Sequence, residues 1–144
     1  FDGVIADSFD ISVEVSKKIF PELTEDTYRD AFEGNIYEIG KPWKRAGAPD
    51  VTFDTEYVKT MHLVHFFEIE SVIAELAKKY SLAIVSSAQT HVIRYFLERE
   101  KMPWFSADDV LGADVHKSKH EKIKILLEKH QPNAGPSEKL HRRP

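Results

Sequence analysis

The sequence predicts an α/β fold with an incomplete, Rossmann-like parallel sheet as its core and a helical cap inserted after the first strand. The apolar run at residues 82–85 ends in two serines, which is typical of a buried parallel strand. From about residue 71 onward, strand and helix patterns alternate, which favours a parallel sheet. A long stretch of helical patterns, residues 8–65, separates this region from the apolar start of the chain.

The first half of the chain predicts one strand end followed by several helices. Residues 1–5 have the pattern of the end of a strand, and the helical spacing of apolar residues that follows stops at Pro21. Thr24 is the expected N-cap of a second helix, because Glu25 and Asp26 follow it in the first turn. Residues 40–54 contain two prolines and two glycines and predict a loop. A further helix is expected from Val58 to His65.

The second half predicts a regular succession of elements. Helices are expected near residues 72–80 and 92–97, and strands at residues 82–85 and 109–112. Residues 118–121 have the capping-box pattern, which places Lys119 in the first turn of a final helix. We therefore assign residues 1–7 and 66–131 to an α/β core and residues 8–65 to a helical cap. Residues 132–144 form a polar tail with a disordered composition.

Composition excludes several classes of function. The chain has 144 residues, 42% of them hydrophobic, and a net charge of −4, which is ordinary for a globular domain. This charge balance predicts no nucleic-acid partner. The absence of cysteine excludes disulfides, thiolate metal sites and a cysteine nucleophile. No apolar run is long enough for a membrane span, so we expect no membrane partner and a cytoplasmic location. The oligomeric state is left open.

Candidate functional residues follow the predicted strands. Ligands of parallel α/β sheets bind at the carboxyl ends of the strands. Asp2, Ser86 with Ser87, and Lys117 or Lys119 occupy such positions. A hydroxyl and an ammonium suit phosphate oxygens, and a carboxylate suits a hard cation or proton transfer. The alternatives to a binding role are structural: Ser86 or Ser87 caps the next helix, and Lys119 is a solvent-exposed lysine.

Three segments resemble the motifs of the haloacid dehalogenase-like superfamily, chiefly its phosphatase branch near the phosphoglycolate phosphatases. The segment Phe-Asp-Gly-Val-Ile-Ala-Asp-Ser at residues 1–8 resembles the opening motif of that family without its first Asp. The apolar strand that ends at Ser86 is similar to the second motif. Residues 113–119 resemble the loop that delivers the lysine of the family. The resemblance covers about residues 1–130.

The resemblance implies a role for each matching residue. Asp2 matches the acid that protonates the leaving group and then activates water, and its backbone carbonyl matches a ligand of Mg²⁺. Ser86 matches the hydroxyl that binds the phosphoryl group, with Ser87 and Gly3 as further phosphate-binding positions. Lys119 best matches the lysine that steadies phosphate, with Lys117 as the fallback. The implied reaction is magnesium-dependent hydrolysis of a small phosphorylated metabolite through an aspartyl-phosphate.

Two features of the family pattern are not among these residues. The nucleophilic Asp is expected immediately before Phe1, and no Asp occurs after Asp114 to form the last acidic motif. We therefore expect the 144-residue polypeptide itself to be nearly inactive. Two alternatives to a phosphatase remain open: a non-catalytic or truncated domain that binds phosphate or a partner, and a phosphosugar mutase of the same superfamily.

Overall fold

A computed structural model describes residues 1–33 and 51–130, with the side chains of all but residues 51 and 52. Helices and strands alternate from residue 65 onward, after a mainly helical first half, and none of the described helices is long and apolar enough to cross a membrane. In chain order the elements are β1 (Ala6–Asp7), α1 (Phe9–Ile19), α2 (Glu25–Asp30), α3 (Val51–Thr60), a 3-10 turn (Met61–Leu63), β2 (His65–Phe66), α4 (Glu70–Ala77), β3 (Leu82–Val85), α5 (Thr90–Arg99), β4 (Phe105–Leu111) and α6 (Lys119–His130).

The parallel sheet is confirmed as a pair of strands. β3 and β4 run parallel, with Ile84 opposite Val110 and Val85 opposite Leu111, and the register is irregular between Leu82 and Ile84. α5 connects the two strands, as expected for parallel neighbours. The carboxyl ends of the two strands therefore lie side by side, which is the edge where a ligand is expected.

The expectation of a strand end at residues 1–5 is wrong. These residues form a tight turn in which the Phe1 carbonyl oxygen accepts hydrogen bonds from the N–H groups of Val4 and Ile5, at 3.2 and 2.9 Å. Gly3 has a φ of +69°, a conformation that glycine adopts readily and that turns the chain away from an extended path. The first strand is instead β1, which pairs antiparallel with β2. We refer to residues 1–6 as the Asp2 turn.

Most predicted helices are present, with some shifted boundaries. The Thr24 hydroxyl accepts a hydrogen bond from the Thr27 N–H at 3.2 Å, which confirms the cap of α2. Residues 51–54 are helical rather than a loop, because α3 begins at Val51. His65 lies in β2 and not in a helix. The rest of the predicted loop before Val51 and the polar tail lie outside the described residues.

One hydrophobic cluster joins both halves of the described chain. Phe96 of α5 is fully buried, and its ring meets the Phe1 ring edge-on at 5.2 Å between centroids. Buried side chains from the N-terminal half, Val15, Tyr57 and Met61 among them, belong to the same cluster as Ile84 and Phe96. α1 and α3 thus share a hydrophobic cluster with the sheet, whereas Tyr28 of α2 lies in a second, smaller cluster. The division into a core and an inserted cap stays a prediction.

The C-terminal end of α6 is tied to β4 by a buried carboxylate. Asp109 is 6% exposed, and one of its oxygens accepts hydrogen bonds from Lys129 Nζ and His130 Nε2, both at 2.8 Å. Burial opposes ionisation of Asp109, but the hydrogen bonds and charges of these two partners outweigh it and lower the pKa of Asp109. The ionised carboxylate therefore stabilises this contact.

The Asp109 contact predicts an acid-dependent loss of stability. Because the pKa of Asp109 is lower in the folded than in the unfolded chain, its contribution is present above the ordinary pKa, about 4, and is lost as pH falls through the lower folded value. We expect Asp109→Asn to reduce the free energy of unfolding by about 1 kcal/mol at pH 7 and by less below pH ~4, since its two partners are partly exposed. Urea unfolding across this pH range measures the difference.

Asp108→Asn is the matched control, because Asp108 is the preceding residue of β4 and is exposed. It should change the free energy of unfolding by less than about 0.5 kcal/mol at every pH. An equal loss in both variants, or a loss in Asp109→Asn that grows as the pH is lowered, would contradict the assignment.

Candidate functional site

The candidate site is built where β3 and β4 end. Ser86 directly follows β3, and Gly112 directly follows β4. The Ser86 N–H donates to the Leu111 carbonyl oxygen at 3.0 Å, which extends the parallel pairing by one residue. The two strands therefore end in register, and the loops that follow them leave the sheet from the same edge.

Ser86 is buried at the start of the first of these loops. The residue is 3% exposed, and its hydroxyl oxygen accepts a hydrogen bond from the Ala88 N–H at 3.1 Å. The N-cap of α5 is Gln89, so neither Ser86 nor Ser87 caps that helix. Ser87 is half-buried in the same turn. The Ser86 hydroxyl thus shapes the turn, and its role towards phosphate stays a prediction.

A buried lysine from α6 bridges the two strand ends. Lys122 is fully buried, and its Nζ donates hydrogen bonds to the carbonyl oxygen of Ser86 and, at 3.2 Å, to that of Gly112. Burial lowers the pKa of Lys122, the charges of Lys119 and Lys117 lower it further, and the charge of Asp114 acts in the opposite direction. Three ammonium groups are therefore close enough to repel one another at this edge of the sheet.

The loop after β4 packs directly against the start of α5. The Asp114 carboxylate accepts hydrogen bonds from the Thr90 N–H at 2.7 Å and the Thr90 hydroxyl at 2.8 Å, and the Gly112 N–H donates to that hydroxyl oxygen at 2.9 Å. A Cβ at Gly112 would lie 2.3 Å from the Thr90 nitrogen, so only glycine allows this approach. Burial opposes ionisation of Asp114, but the two bonds from Thr90 outweigh it and lower the pKa of Asp114. We call Ser86, Thr90, Gly112, Asp114 and Lys122 the strand-end cluster.

Asp2 is exposed on its turn and is held through one oxygen. The hydroxyls of Ser8 and Tyr57 both donate to Asp2 Oδ1, at 2.7 and 3.0 Å. Ser8 is the N-cap of α1, and Tyr57 lies in α3, so two helices contribute to this contact. The Gly3 N–H donates to the Ala6 carbonyl oxygen at 2.9 Å. The phosphate-binding role of Gly3 stays a prediction.

Lys119 is the first residue of α6. Its charge acts on Lys122 and lowers the pKa of that group, after the larger effect of burial. The Ser118 hydroxyl oxygen accepts a hydrogen bond from the Glu121 N–H at 3.4 Å, so the expected cap of α6 is confirmed. Lys117 and Lys119 are both exposed beside this cap.

The structure gathers the predicted site residues in two neighbouring groups. Ser86 and Ser87 lie at the end of β3, Asp2 and Gly3 lie on the turn, and Lys119 begins α6. Among the described residues no hydrogen bond joins Asp2 to Ser86. One further contact links the two groups through α3, because the Gln89 side-chain amide donates to Asp54 at 3.4 Å.

Sequence reasoning missed two residues of the candidate site. Lys122 lies in a lysine-rich segment of the sequence, one turn before Leu126, on the face of α6 that approaches the sheet. That spacing was a usable signal. No pattern in the sequence predicts the contact between Tyr57 and Asp2, because the two residues are 55 positions apart and no helical or strand period relates them.

The described residues do not form a magnesium site by themselves. In residues 1–33 and 53–130, no three acidic or histidine side chains come together in a way that could hold a metal ion. Asp2 supplies one carboxylate, whereas Mg²⁺ requires near-octahedral oxygen coordination, usually completed by waters, one or two carboxylates and phosphate.

The comparison with protein families identifies the class of protein that this arrangement represents. A model of the haloacid dehalogenase-like hydrolases matches residues 1–137. The chain therefore belongs to the haloacid dehalogenase-like hydrolase family, whose Rossmann-like core accounts for the parallel pair of β3 and β4. Members of this family are generally enzymes and are typically magnesium-dependent. Neither a curated protein nor a solved structure matches the chain.

The bridge made by Lys122 predicts a specific loss of stability. Lys122→Met keeps the length of the side chain but leaves the carbonyl oxygens of Ser86 and Gly112 without this donor. We expect the free energy of unfolding to fall by about 1–3 kcal/mol, because buried acceptors without a partner are costly. Chemical denaturation at pH 7 measures this change.

Lys124→Met is the control, since Lys124 is exposed on the same helix. Its contact with Glu121 is a surface ion pair, so its effect should stay below about 1 kcal/mol. If Lys122→Met is as stable as the parent chain, the bridge does not stabilise the strand ends.

Proposed function

We propose that this chain provides the core of a phosphatase that hydrolyses small phosphate monoesters through an aspartyl-phosphate. The observation that carries the proposal is the concentration of positive charge where β3 and β4 end. Lys122 donates to the carbonyl oxygens at both strand ends, and Lys117 and Lys119 are exposed where the chain enters α6, although the whole chain has a net charge of −4. A cationic edge of a parallel sheet suits an anionic ligand such as a phosphoryl group.

The proposed binding of phosphate uses groups from both strand ends. The Ser86 hydroxyl and the backbone N–H of Ser87 would donate to phosphate oxygens, and the exposed ammonium of Lys119 would neutralise charge on them. Lys122 is fully buried and would not contact phosphate. It would support the site indirectly, because its ammonium holds the carbonyl oxygen of Ser86 in place. Family membership supports the proposal, because the family model matches residues 1–137 and so includes both strand ends and α6.

The proposed reaction has two steps in which Asp2 moves the proton. In the first step a carboxylate oxygen of the family nucleophile bonds to phosphorus, and the bond between phosphorus and the ester oxygen breaks. Asp2 gives its proton to the departing oxygen. In the second step water bonds to phosphorus, Asp2 takes the proton of that water, and the acyl-phosphate bond breaks to release phosphate. Asp2 ends in its starting protonation state.

A second candidate function is binding of a phosphorylated ligand without turnover. The buried Ser86 hydroxyl at the strand end and the exposed lysines beside it support this function as well as they support hydrolysis. A binding domain needs the strand-end hydroxyl and the ammonium groups but neither a nucleophile nor a metal. The two candidates therefore share a phosphate site and differ in the hydrolysis step.

The shared phosphate site predicts the effect of removing the Ser86 hydroxyl. We expect Ser86→Ala to weaken binding of inorganic phosphate about 10- to 100-fold, because a hydrogen bond to a charged group contributes about 1.5–3 kcal/mol. Phosphorus NMR titration or calorimetry measures the dissociation constant. Ser106→Ala, at an exposed serine of β4, is the control and should bind as the parent chain does. Equal affinity in all three proteins would refute a phosphate site at Ser86.

A pair of extended chains separates the two candidate functions. The first carries Asp immediately before Phe1, where the family has its nucleophile, and the second carries Asn there. We expect the Asp form to hydrolyse p-nitrophenyl phosphate with added Mg²⁺, and the Asn form and the 144-residue chain to show no hydrolysis above background. Phosphate binding without hydrolysis in the Asp form would favour the binding domain. Hydrolysis by the Asn form would exclude the aspartyl-phosphate route.

A further inference from the structure

Asp2 is held asymmetrically by two hydroxyl groups. Tyr57 and Ser8 both donate to the same carboxylate oxygen, Oδ1, at 3.0 and 2.7 Å. Both donors are buried, with 5% of Tyr57 and 1% of Ser8 exposed, whereas Asp2 itself is exposed. The asymmetry leaves Oδ2 as the oxygen that remains accessible to a reacting group.

We propose that Tyr57 is a positioning residue that fixes the Asp2 carboxylate so that Oδ2 performs the proton transfer. This inference rests on the proposed function, in which Asp2 is the acid and base. Tyr57 does not touch the reacting atoms. It acts by holding Oδ1, which restricts the χ1 rotamer of a side chain that would otherwise move freely in solvent.

The surroundings of Tyr57 make its hydroxyl a fixed donor. Its ring stacks on Phe53 of the same helix, with 5.3 Å between centroids and 17° between planes, and it belongs to the main hydrophobic cluster. Burial and then the negative charge of Asp2 raise the pKa of Tyr57 far above its ordinary value. The hydroxyl therefore keeps its proton throughout the physiological range and donates to Asp2 at every working pH.

The position of α3 consequently sets the orientation of Asp2. α3 packs against α1, and the N-cap of α1 is Ser8, the second donor to Oδ1. A displacement of α3 that lengthens the contact from the Tyr57 hydroxyl would release one of the two constraints on the carboxylate. A proton-transfer group on the turn is thus linked to a helix from the segment expected to form a cap.

The test measures the side-chain rotamer of Asp2 directly in the 144-residue chain. Three-bond couplings from backbone nitrogen and carbonyl carbon to Cγ of Asp2 report whether χ1 occupies one rotamer. We expect one rotamer in the parent chain and averaging over several in Tyr57→Phe. Tyr28→Phe is the matched control, because Tyr28 is equally buried at 5% exposure, and burial raises its pKa to about 12. The control should leave the Asp2 couplings unchanged.

Ser8→Ala provides a second variant in case Tyr57→Phe fails to fold. It removes the other donor to Oδ1 and should also produce averaging at Asp2. The proposal is overturned if Asp2 already averages in the parent chain, if a folded Tyr57→Phe keeps a single rotamer, or, where Tyr57→Phe does not fold, if Ser8→Ala keeps one. Averaging in Tyr28→Phe as well would assign the effect to general loosening and would also overturn it.

A kinetic comparison separates failure of this proposal from failure of the proposed function. The chain with Asp before Phe1 is assayed with an alkyl phosphate, whose leaving group needs a proton, and with p-nitrophenyl phosphate, whose leaving group does not. We expect Tyr57→Phe to lower kcat for the alkyl phosphate about tenfold relative to kcat for p-nitrophenyl phosphate. Equal losses on both esters would overturn the positioning role. No turnover of either ester by the parent would refute the proposed phosphatase, while the rotamer measurement would still decide how Asp2 is held.

Discussion

The buried ammonium of Lys122 is the interaction on which the arrangement of the strand ends depends. α6 leaves Ile123, Ile125 and Leu127 exposed, so its apolar residues do not explain how it docks on the sheet. The one buried residue of this helix is Lys122, which donates to the carbonyl oxygens of Ser86 and Gly112, directly after β3 and β4. Removing an ammonium from water is unfavourable unless hydrogen bonds compensate for the lost hydration. This requirement fixes the N-terminal part of α6 on the sheet, and the contact with Asp109 fixes its C-terminal end.

A second constraint acts from the opposite side of the same loops. Asp114 accepts two hydrogen bonds from Thr90 and so occupies the N-terminus of α5, where a negative charge is favoured by the helix dipole. Gly112 permits this contact, because any Cβ there would collide with the backbone of α5. With that terminus already occupied by a carboxylate, an anionic ligand is left to the turn at Ser86 and to the exposed lysines. In the strand-end cluster the Asp114 carboxylate therefore has a structural role, and the exposed lysines form a cationic surface apart from it.

The sequence allowed more of the fold to be predicted than of the candidate site. The parallel pair, α5 and the capped helices Glu25–Asp30 and Lys119–His130 were predictable because each depends on local signals, such as an apolar run, a helical period or a capping residue. The prediction of a strand end at residues 1–5 was wrong, because the apolar residues there are equally compatible with a turn once Gly3 adopts a positive φ. The start of α3 was missed because prolines and glycines before it made the whole region resemble a loop.

By itself, the sequence determined the class of fold, the family motifs and the residue types that follow each strand. Those properties are local, so neighbouring residues are sufficient to specify them. The tertiary structure alone decided that Lys122 rather than an exposed lysine bridges Ser86 and Gly112, and that Tyr57 contacts Asp2. Both contacts join positions far apart in the chain, 36 positions for Lys122 and Ser86 and 55 for Tyr57 and Asp2. Such pairs form only when the helices have packed, because packing both brings the polar groups together and removes the water that would otherwise compete for them.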